Sequence, residues 1–460
     1  MAFSIRRQRG QALALALVLA LLGSAGLFHM FRTGQTLAHK TRLLNAADAA
    51  AYGAAVWRAR VLNFNAYANR AIIAQEVAVA QALTLQSWSR HFEQFSRNAA
   101  RMARVYPPLA AVFETLAETS SVARELADTT AALEIRLRAA PDTGYKELLQ
   151  ASQELLVLSA GVFGSSAVAN EIARENDRGF FAFALPDAGA FNRFTRRYES
   201  DADRERLRDL VVRSLDDFTR GPRETDLVLW GLPASCVLSL NAPSAWFQMY
   251  RKRGGTALAP GLDRWEAVDT ASIHDNRRRG FLGRRCSRVE LLPLGWGAAE
   301  ASFDGPLGRS VAQPGGVAIN PAALEFAESM LDESRGASLP GEAPLAIEGD
   351  YAGIARVREL VYESLDSQRF PGSRVAVLAR VEAARLARNP AIDEPAGRLR
   401  PPGAYAGSRL WALAAAEAHF VRPPADPRRE EYASLYNPYW QARLVTPSLA
   451  ERLAAESHVE

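Results

Sequence analysis

Apolar and polar positions follow three textures along this chain. From Ala12 to Phe31 the residues read ALALALVLALLGSAGLFHMF, with no polar period at all. As a helix that stretch is about 30 Å long, one hydrocarbon core. From Asn45 to about Asp177 apolar residues recur at three- and four-residue steps, the period of an amphipathic helix. One series runs from Ala71 through Leu85, Trp88, Phe92 and Phe95 to Met102. A second runs Leu109, Val112, Leu116, Thr119, Ala123, Leu126, Thr130, Leu133, Leu137, and a third from Leu148 to Ile172. Tyr106-Pro107-Pro108 separates the first two, because proline lacks the N–H and clashes with the preceding turn. Pro141-Asp142-Thr143-Gly144 is a turn signal before the third. Three long helices with short joints predict an up-down-up bundle, with Trp88, Phe92 and Phe95 in its core. An intermolecular coiled coil is the weaker alternative, because each seam is partly small or polar.

After Arg178 the texture changes to short apolar runs among Pro and Gly. Strands are predicted at Phe180–Leu185, Leu227–Trp230, Cys236–Leu240, Trp265–Thr270, Arg288–Leu292, Arg374–Arg380 and Leu410–Val421, the last of which, rich in alanine, reads alternatively as a helix. Helices are predicted at Asp203–Phe218, Pro321–Glu333 and Tyr351–Leu365, and loops at Gly336–Pro344 and Pro390–Pro402. The expected fold class is α+β: a single N-terminal transmembrane helix, a helical stalk or bundle, then a mixed, largely antiparallel domain. The expected divisions are a basic tail at 1–10, a span at 11–32, the helical part at 33–177 and the body at 178–460.

Arg6, Arg7 and Arg9 precede the apolar run and place the N-terminus in the cytoplasm by the positive-inside rule. The body is then periplasmic, behind a bacterial inner-membrane anchor. A cleaved secretory signal is the alternative, since Gly23-Ser24-Ala25 supplies small residues for a cut.

Arg9-Gly10-Gln11 leads into the apolar helix, and a dozen residues beyond it comes Asn45-Ala46-Ala47-Asp48-Ala49-Ala50-Ala51-Tyr52-Gly53-Ala54. Over about residues 5–56 this resembles the N-terminal segment of the Flp pilus-assembly TadE/G-like family, membrane-anchored proteins of tight-adherence pilus and secretion machinery. The resemblance implies pilus or secretion-system subunits and the inner membrane as partners. Physically, the Ala/Gly run gives a thin helix that allows close helix–helix approach. Asn45, Ala46, Ala47, Asp48, Ala50, Ala51, Gly53 and Ala54 are therefore the candidate assembly surface. On that reading Ala50→Leu or Gly53→Leu impairs assembly and leaves the body folded. Two departures stand out. The position where a type IV prepilin carries Glu holds Leu15, and the Asp-x-Ser-x-Ser metal motif of some larger relatives is only echoed by Asp269-Thr270-Ala271-Ser272.

Composition narrows the chemistry. The 460 residues are 48% apolar and 23% charged, which excludes wholesale disorder. A net charge of +4 gives no nucleic-acid footprint. Arg277, Arg278, Arg279, Arg284, Arg285 and Arg288 read as a solvated hairpin or loop, with phosphate or lipid-headgroup binding as the alternative. Cys236 and Cys286 are the whole thiol inventory. Outside the cytoplasm they form a disulfide candidate, and otherwise two buried thiols. The six histidines have no metal-ligand spacing. His274-Asp275, near Asp269, read as a solvated turn more readily than as an acid/base pair. No nucleophile elbow, Walker loop or dinucleotide fingerprint occurs, so no catalytic residue, cofactor or metal is assigned. Near the end, Tyr436, Tyr439, Trp440 and Arg443 belong to an aromatic segment that either closes the core or docks a partner.

The function expected is a non-enzymatic, membrane-anchored component of Flp/Tad-type pilus assembly or a related secretion system. The alternatives are an anchored extracytoplasmic hydrolase acting on envelope polymers and a secreted binding protein.

Overall fold

The computed structural model describes residues 11–458 apart from 106, 140–144, 187–189, 199, 232–245, 280–284, 303–316, 326–344, 349–350, 352, 355–356, 361–372, 383–408 and 423–432. The order of elements begins with four helices: α1 (Gln11–Ala103), α2 (Pro107–Ala139), α3 (Tyr145–Ser159) and α4 (Val162–Asn176). Then come β1 (Phe181–Ala184), α5 (Ala190–Phe194), β2 (Thr195–Arg197), α6 (Asp201–Ser214) and α7 (Asp217–Arg220). Four strands come next, β3 (Thr225–Gly231), β4 (Trp246–Leu258), β5 (Arg264–Arg279) and β6 (Arg285–Ser302). The chain continues through β7 (Leu345–Glu348), β8 (Arg358–Leu360), β9 (Arg374–Glu382), β10 (Arg409–Phe420), β11 (Trp440–Val445) and α8 (Leu449–Glu456). It is a mixed helical and largely antiparallel protein that begins with one long helix, apolar at its N-terminal end.

The chain folds into two compact units. The first comprises Met1–Ala66, Gln153–Arg196 and Glu359–Glu460, the second Tyr67–Ser152 and Arg197–Arg358. This division does not follow the boundary expected at 177/178. Each unit combines early helices with later strands, because the apolar faces of those helices are buried on sheets as well as on one another.

The first unit is built on the antiparallel sheet β1-β9-β10-β11. Val375, Val377, Ala379 and Val381 of β9 point to one face, beside Ala412, Ala414 and Ala416 of β10. That face packs on Leu43, Ala46, Ala47, Ala50, Ala51, Ala54 and Ala55 of α1 and on Ala169 and Ala173 of α4. Ala376, Leu378 and Ala415 face the other way, toward Ala455 of α8. Both faces of β9 are covered, which is why RVAVLARVE reads as a nearly continuous apolar run. β10 contains five buried alanines yet is a strand, since its neighbours on both sides pair with it. Arg58 is buried in this unit. It donates to the carbonyls of Ala160 and Arg374 and to Ser165 Oγ, and its guanidinium lies 4.8 Å from the Phe191 ring. The Asn63 side chain brackets the Trp440 backbone, donating to its carbonyl at 2.9 Å and accepting from its N–H at 3.0 Å.

The second unit is built on the sheet β3-β4-β5-β6-β7, antiparallel except for β6–β7. The α1–α2 hairpin turns at Pro107, as the proline pair predicts. It is held by Arg90–Asp128 at 2.8 Å and Arg124–Glu93 at 2.8 Å. Trp88 and Phe92 stack with centroids 5.1 Å apart, and Phe95 meets Tyr250 of β4 edge-on at 5.6 Å. These half-buried rings therefore include a sheet contact, not the core of a three-helix bundle.

Several sequence expectations need adjustment. The predicted helix 351–365 is not formed where it is described: Gly353 has φ +83°, Tyr351 is fully buried against Glu76, and β8 occupies 358–360. The strand β4 carried no expectation, because Lys252-Arg253-Gly254-Gly255 interrupts its apolar pattern. Residues 321–325 are helical, and the remainder of that predicted helix lies outside the described residues, as do Cys236–Leu240 and both predicted loops.

Ala50 has no exposed surface, so Ala50→Leu overpacks the helix–sheet seam. The expected cost is about 1–3 kcal/mol, read as a fall in chemical-denaturation midpoint. The exposed Asp48→Ala on the same helix is expected to stay within about 0.5 kcal/mol. The body-sparing effect expected of Ala50→Leu is thereby replaced by a stability effect.

Candidate functional site

Ser87 and His91 lie one turn apart on α1 and so project from the same face. Opposite them, β6 carries Gly295 and Gly297. A Cβ on Gly297 would sit 2.2 Å from the Ser87 carbonyl oxygen and 2.4 Å from the His91 nitrogen, so only glycine lets the helix backbone approach this closely. Asp269 of β5 is paired with Gly297 on one side and Gly254 on the other. A Cβ on Gly254 would fall 2.5 Å from Asp269 Oδ1, so the carboxylate occupies the room that glycine leaves.

Asp269 is fully buried and fully engaged. Arg223 Nε donates to Oδ1 at 2.9 Å and Arg223 Nη2 to Oδ2 at 2.8 Å. Lys252 Nζ donates to Oδ1 at 2.7 Å, and Ser87 Oγ to Oδ2 at 2.9 Å. Arg223 also donates to Thr256 Oγ1 and to the carbonyls of Gly255 and Val268. Burial alone pushes the Asp269 carboxyl up, but the Arg223 hydrogen bonds and the charges of Arg223 and Lys252 reverse this and hold it below the usual range. Burial pushes the His91 imidazole down to about 3, despite the nearby Asp269 charge. Burial and Asp269 together push the Tyr250 phenol up to about 12.

Ser87, His91 and Asp269 are the residue types of a hydrolytic triad, but the hydrogen bonds run otherwise. Ser87 donates to Asp269 and to the Gly297 carbonyl, and neither His91 ring nitrogen has a hydrogen-bond partner among the described residues. The imidazole is not bonded to the serine hydroxyl, and the Asp269 carboxylate that accepts from it is already paired with Arg223 and Lys252, so this geometry does not activate the serine. What it does is fasten α1 to the middle of the sheet. A shallow cavity of about 290 Å³ opens beside it, lined by Trp88, Phe218, Arg223, Glu224, Thr225 and Lys252.

A second buried carboxylate, Glu76, lies on the same helix. It pairs with Lys146 of α3 and accepts from Tyr351 Oη at 2.7 Å and Trp265 Nε1 at 3.2 Å. Lys146 in turn donates to the Gly353 carbonyl and lies 4.9 Å from the Tyr351 ring centre. Burial and the Glu76 charge raise the Tyr351 phenol well above its ordinary value.

The residues singled out from the sequence are distributed over both units. Ala46, Ala47, Ala50, Ala51 and Ala54 are buried within their own unit, Gly53 is half-buried against Ile172, and Asn45 and Asp48 are exposed. Trp440 is buried, its ring edge-on to Phe194 and Phe420, while Tyr436 and Tyr439 are half-buried. Arg443 is exposed and paired with Glu417 at 2.5 Å. Cys236 and the Cys286 side chain lie outside the described residues. His274 and Asp275 are buried in β5 rather than solvated in a turn, and His274 Nε2 is 3.1 Å from Asn320 Oδ1. Arg277–Arg279 and Arg285–Arg288 are the paired ends of β5 and β6, as the hairpin reading expects. Arg58, Glu76, Arg223 and Lys252 carried no expectation; for Glu76 the available signal is that it is the one charge between Arg70 and Arg90 in an apolar helical pattern. Among the described residues no group of three His, Cys, Asp or Glu side chains is placed to hold a metal ion.

No family model matches this chain, and no curated protein or solved structure was found to resemble it.

Two measurements check this site. Asp269→Asn leaves two cations facing a neutral amide in the sheet, and a loss of about 3–5 kcal/mol is expected by denaturant titration. The depressed His91 gives a pH dependence. Its neutral form is retained in the fold, so stability is full above the ordinary histidine range and falls as pH drops from about 6.5 toward 3. The expected slope is about 1.4 kcal/mol per pH unit for this one proton. His91→Leu is expected to flatten that slope, and an unchanged slope would assign the acid sensitivity elsewhere.

Proposed function

We propose that this chain is a non-enzymatic, membrane-anchored component of Flp/Tad-type pilus assembly or a related secretion system. Residues 12–31 hold it in the inner membrane, with the N-terminus cytoplasmic and the remainder extracytoplasmic. The observation that carries the reading is the change along α1. Its residues from Ala12 to Phe31 are exposed throughout and the helix carries near its N-terminal end an unburied window of mean hydropathy 2.1, whereas from Leu43 onward the same helix is a core element. An exposed apolar run of about one bilayer thickness finds its solvent in lipid. The family resemblance at Arg9-Gly10-Gln11 and Asn45–Ala54 supports the pilus-assembly context.

The alanine motif has a different part in this reading from the one its composition suggests. Its small residues bring α1 onto a sheet of the same chain, and Asn45, Asp48 and Tyr52 are what it shows outward. The buried polar cluster at Asp269 supports a structural role, because every carboxylate oxygen there is engaged by its own chain.

Leu17→Arg combined with Leu21→Arg tests the anchor, each arginine costing about 2.5–3.5 kcal/mol at mid-bilayer. The wild-type protein is expected in the carbonate-resistant membrane fraction and the double variant in the soluble one. Labelling of Cys236 and Cys286 in intact cells by a membrane-impermeant thiol reagent, before and after reduction, reads the side. Labelling that requires lysis would put the body in the cytoplasm and overturn the proposal. Deletion of the gene with undiminished pili would overturn its pilus role.

A further inference from the structure

Three stretches of the second unit hold no carboxylate. Residues 276–289 contain six arginines, residues 94–113 contain three more, and residues 227–250 carry no charge of either sign. The fold directs all three to one end of the sheet β3-β4-β5-β6-β7. In the β5–β6 hairpin Arg277, Arg278 and Arg279 pair in register with Ser287, Cys286 and Arg285. Trp246 of β4 pairs with Arg277, and Trp230 of β3 joins the row of Gln248 and Asp275, two positions away. Helix α1 runs toward the same end. Its Ser87 bonds Asp269, its Phe95 meets Tyr250 in the row of Ile273, and it stops at Ala103.

Arginines and apolar side chains are mixed at this end. Arg101, Arg104 and Arg288 are exposed. Met102, Val105, Trp230, Val289 and Leu291 are between 44% and 94% exposed. The bordering carboxylates are committed elsewhere. Glu93 pairs with Arg97 and Arg124, and Asp226 is held by Arg251 and Arg253. Glu290 accepts from Ser272 and from the N–H groups of Ala322 and Ala323. Glu114, the first carboxylate of α2, stands about two turns into that helix. Asp275 is buried, and one buried aspartate cannot balance the six arginines that follow it.

We propose that this end of the second unit is a contact surface for an anionic phospholipid bilayer. Charge complementarity gives the sign of the partner. Guanidinium forks match phosphate oxygens, and each arginine near a lipid surface strengthens binding about fivefold. The exposed apolar side chains give its kind. A nucleic acid in water offers phosphates but leaves Met102 and Val105 wet. A bilayer interface offers the phosphates and an apolar layer beneath them. Tryptophan concentrates at that depth, where Trp230 would sit. The inference rests on the composition and register of this end, and not on the N-terminal anchor.

The test uses the full chain with Leu17→Arg and Leu21→Arg in every sample, so that the N-terminal run contributes equally throughout. Binding is read by flotation with vesicles of phosphatidylcholine, either alone or with about one-third phosphatidylglycerol. This parent is expected to prefer the anionic vesicles at least about tenfold. The preference is expected to fade as salt rises from about 0.1 to about 0.5 M. Adding Arg277→Gln, Arg278→Gln and Arg285→Gln is expected to lower the preference at least about tenfold, with an unchanged melting temperature. Adding Arg204→Gln, Arg206→Gln and Arg213→Gln instead removes the same charge from exposed positions of α6, and a loss under about twofold is expected. Should the hairpin variant melt early, Trp230→Ser carries the test alone, since its ring is exposed on an edge strand. It is expected to weaken binding to the anionic vesicles at least about threefold. Equal binding of the parent to both vesicles, an equal loss in the α6 variant, or parental binding by Trp230→Ser overturns the proposal. Tighter binding of the parent to a DNA duplex of random sequence at the same salt overturns it as well, and assigns the surface to nucleic acid.

Discussion

A carboxylate removed from water must be neutralised where it stands, and the second unit is organised around two such groups. Asp269 lies in the middle of the central strand and Glu76 on the long helix. Each draws its partners from separate parts of the sequence: Ser87, Arg223 and Lys252 for the first, Lys146, Trp265 and Tyr351 for the second. Neither set can be satisfied unless helix, strands and connecting segments arrive together. Breaking such a pair leaves a bare buried charge, so the cost of a wrong arrangement is high even where the net gain of the right one is modest. The polar clusters thus select one packing of α1 on the sheet, while apolar burial supplies the bulk of the driving force.

The same requirement explains the odd composition of β4. A strand with Lys252, Arg253 and two glycines at its centre looks unsuited to a sheet. Lys252 is there for Asp269, Gly254 leaves room for the carboxylate, and the Gly255 carbonyl receives Arg223. In the first unit the close approach is achieved with alanines, and its buried cation, Arg58, is met by carbonyl groups and an aromatic face. Two chemical means thus serve one geometric end, a helix backbone brought near a sheet.

Much of this was legible in the sequence where the signal is local. The apolar run, the proline break before α2, and the strands at 181–184, 374–382 and 409–420 follow from hydrophobic period and turn chemistry. The helices were legible as helices but not by destination, since an alanine face fits a sheet and a neighbouring helix equally well. β4 and the residues 351–360 were missed because their roles are set by partners distant in sequence, Asp269 and Glu76. Arg223 and Lys252 were not distinguishable from surface charges, as both sit among other charged residues and only the fold shows that Asp269 engages them, whereas Glu76 stands alone between Arg70 and Arg90. Ser87 and His91 shared a helical face in the sequence, but their distance from Asp269 along the chain hid the cluster.

The interleaving of the two units has a consequence for the order in which the chain can mature. The alanine face of α1 is among the first segments made, yet the strands that cover it, β9 and β10, begin at Arg374 and Arg409. For most of synthesis that face has no lining, and the ordering of early and late segments must wait for contacts of very long sequence separation, which form slowly. A ribosome stalled before residue 374, or a protease cut there, would strip the cover from the N-terminal helix along with the C-terminal strands themselves. The two ends of the gene are bound in this way to a single folding event.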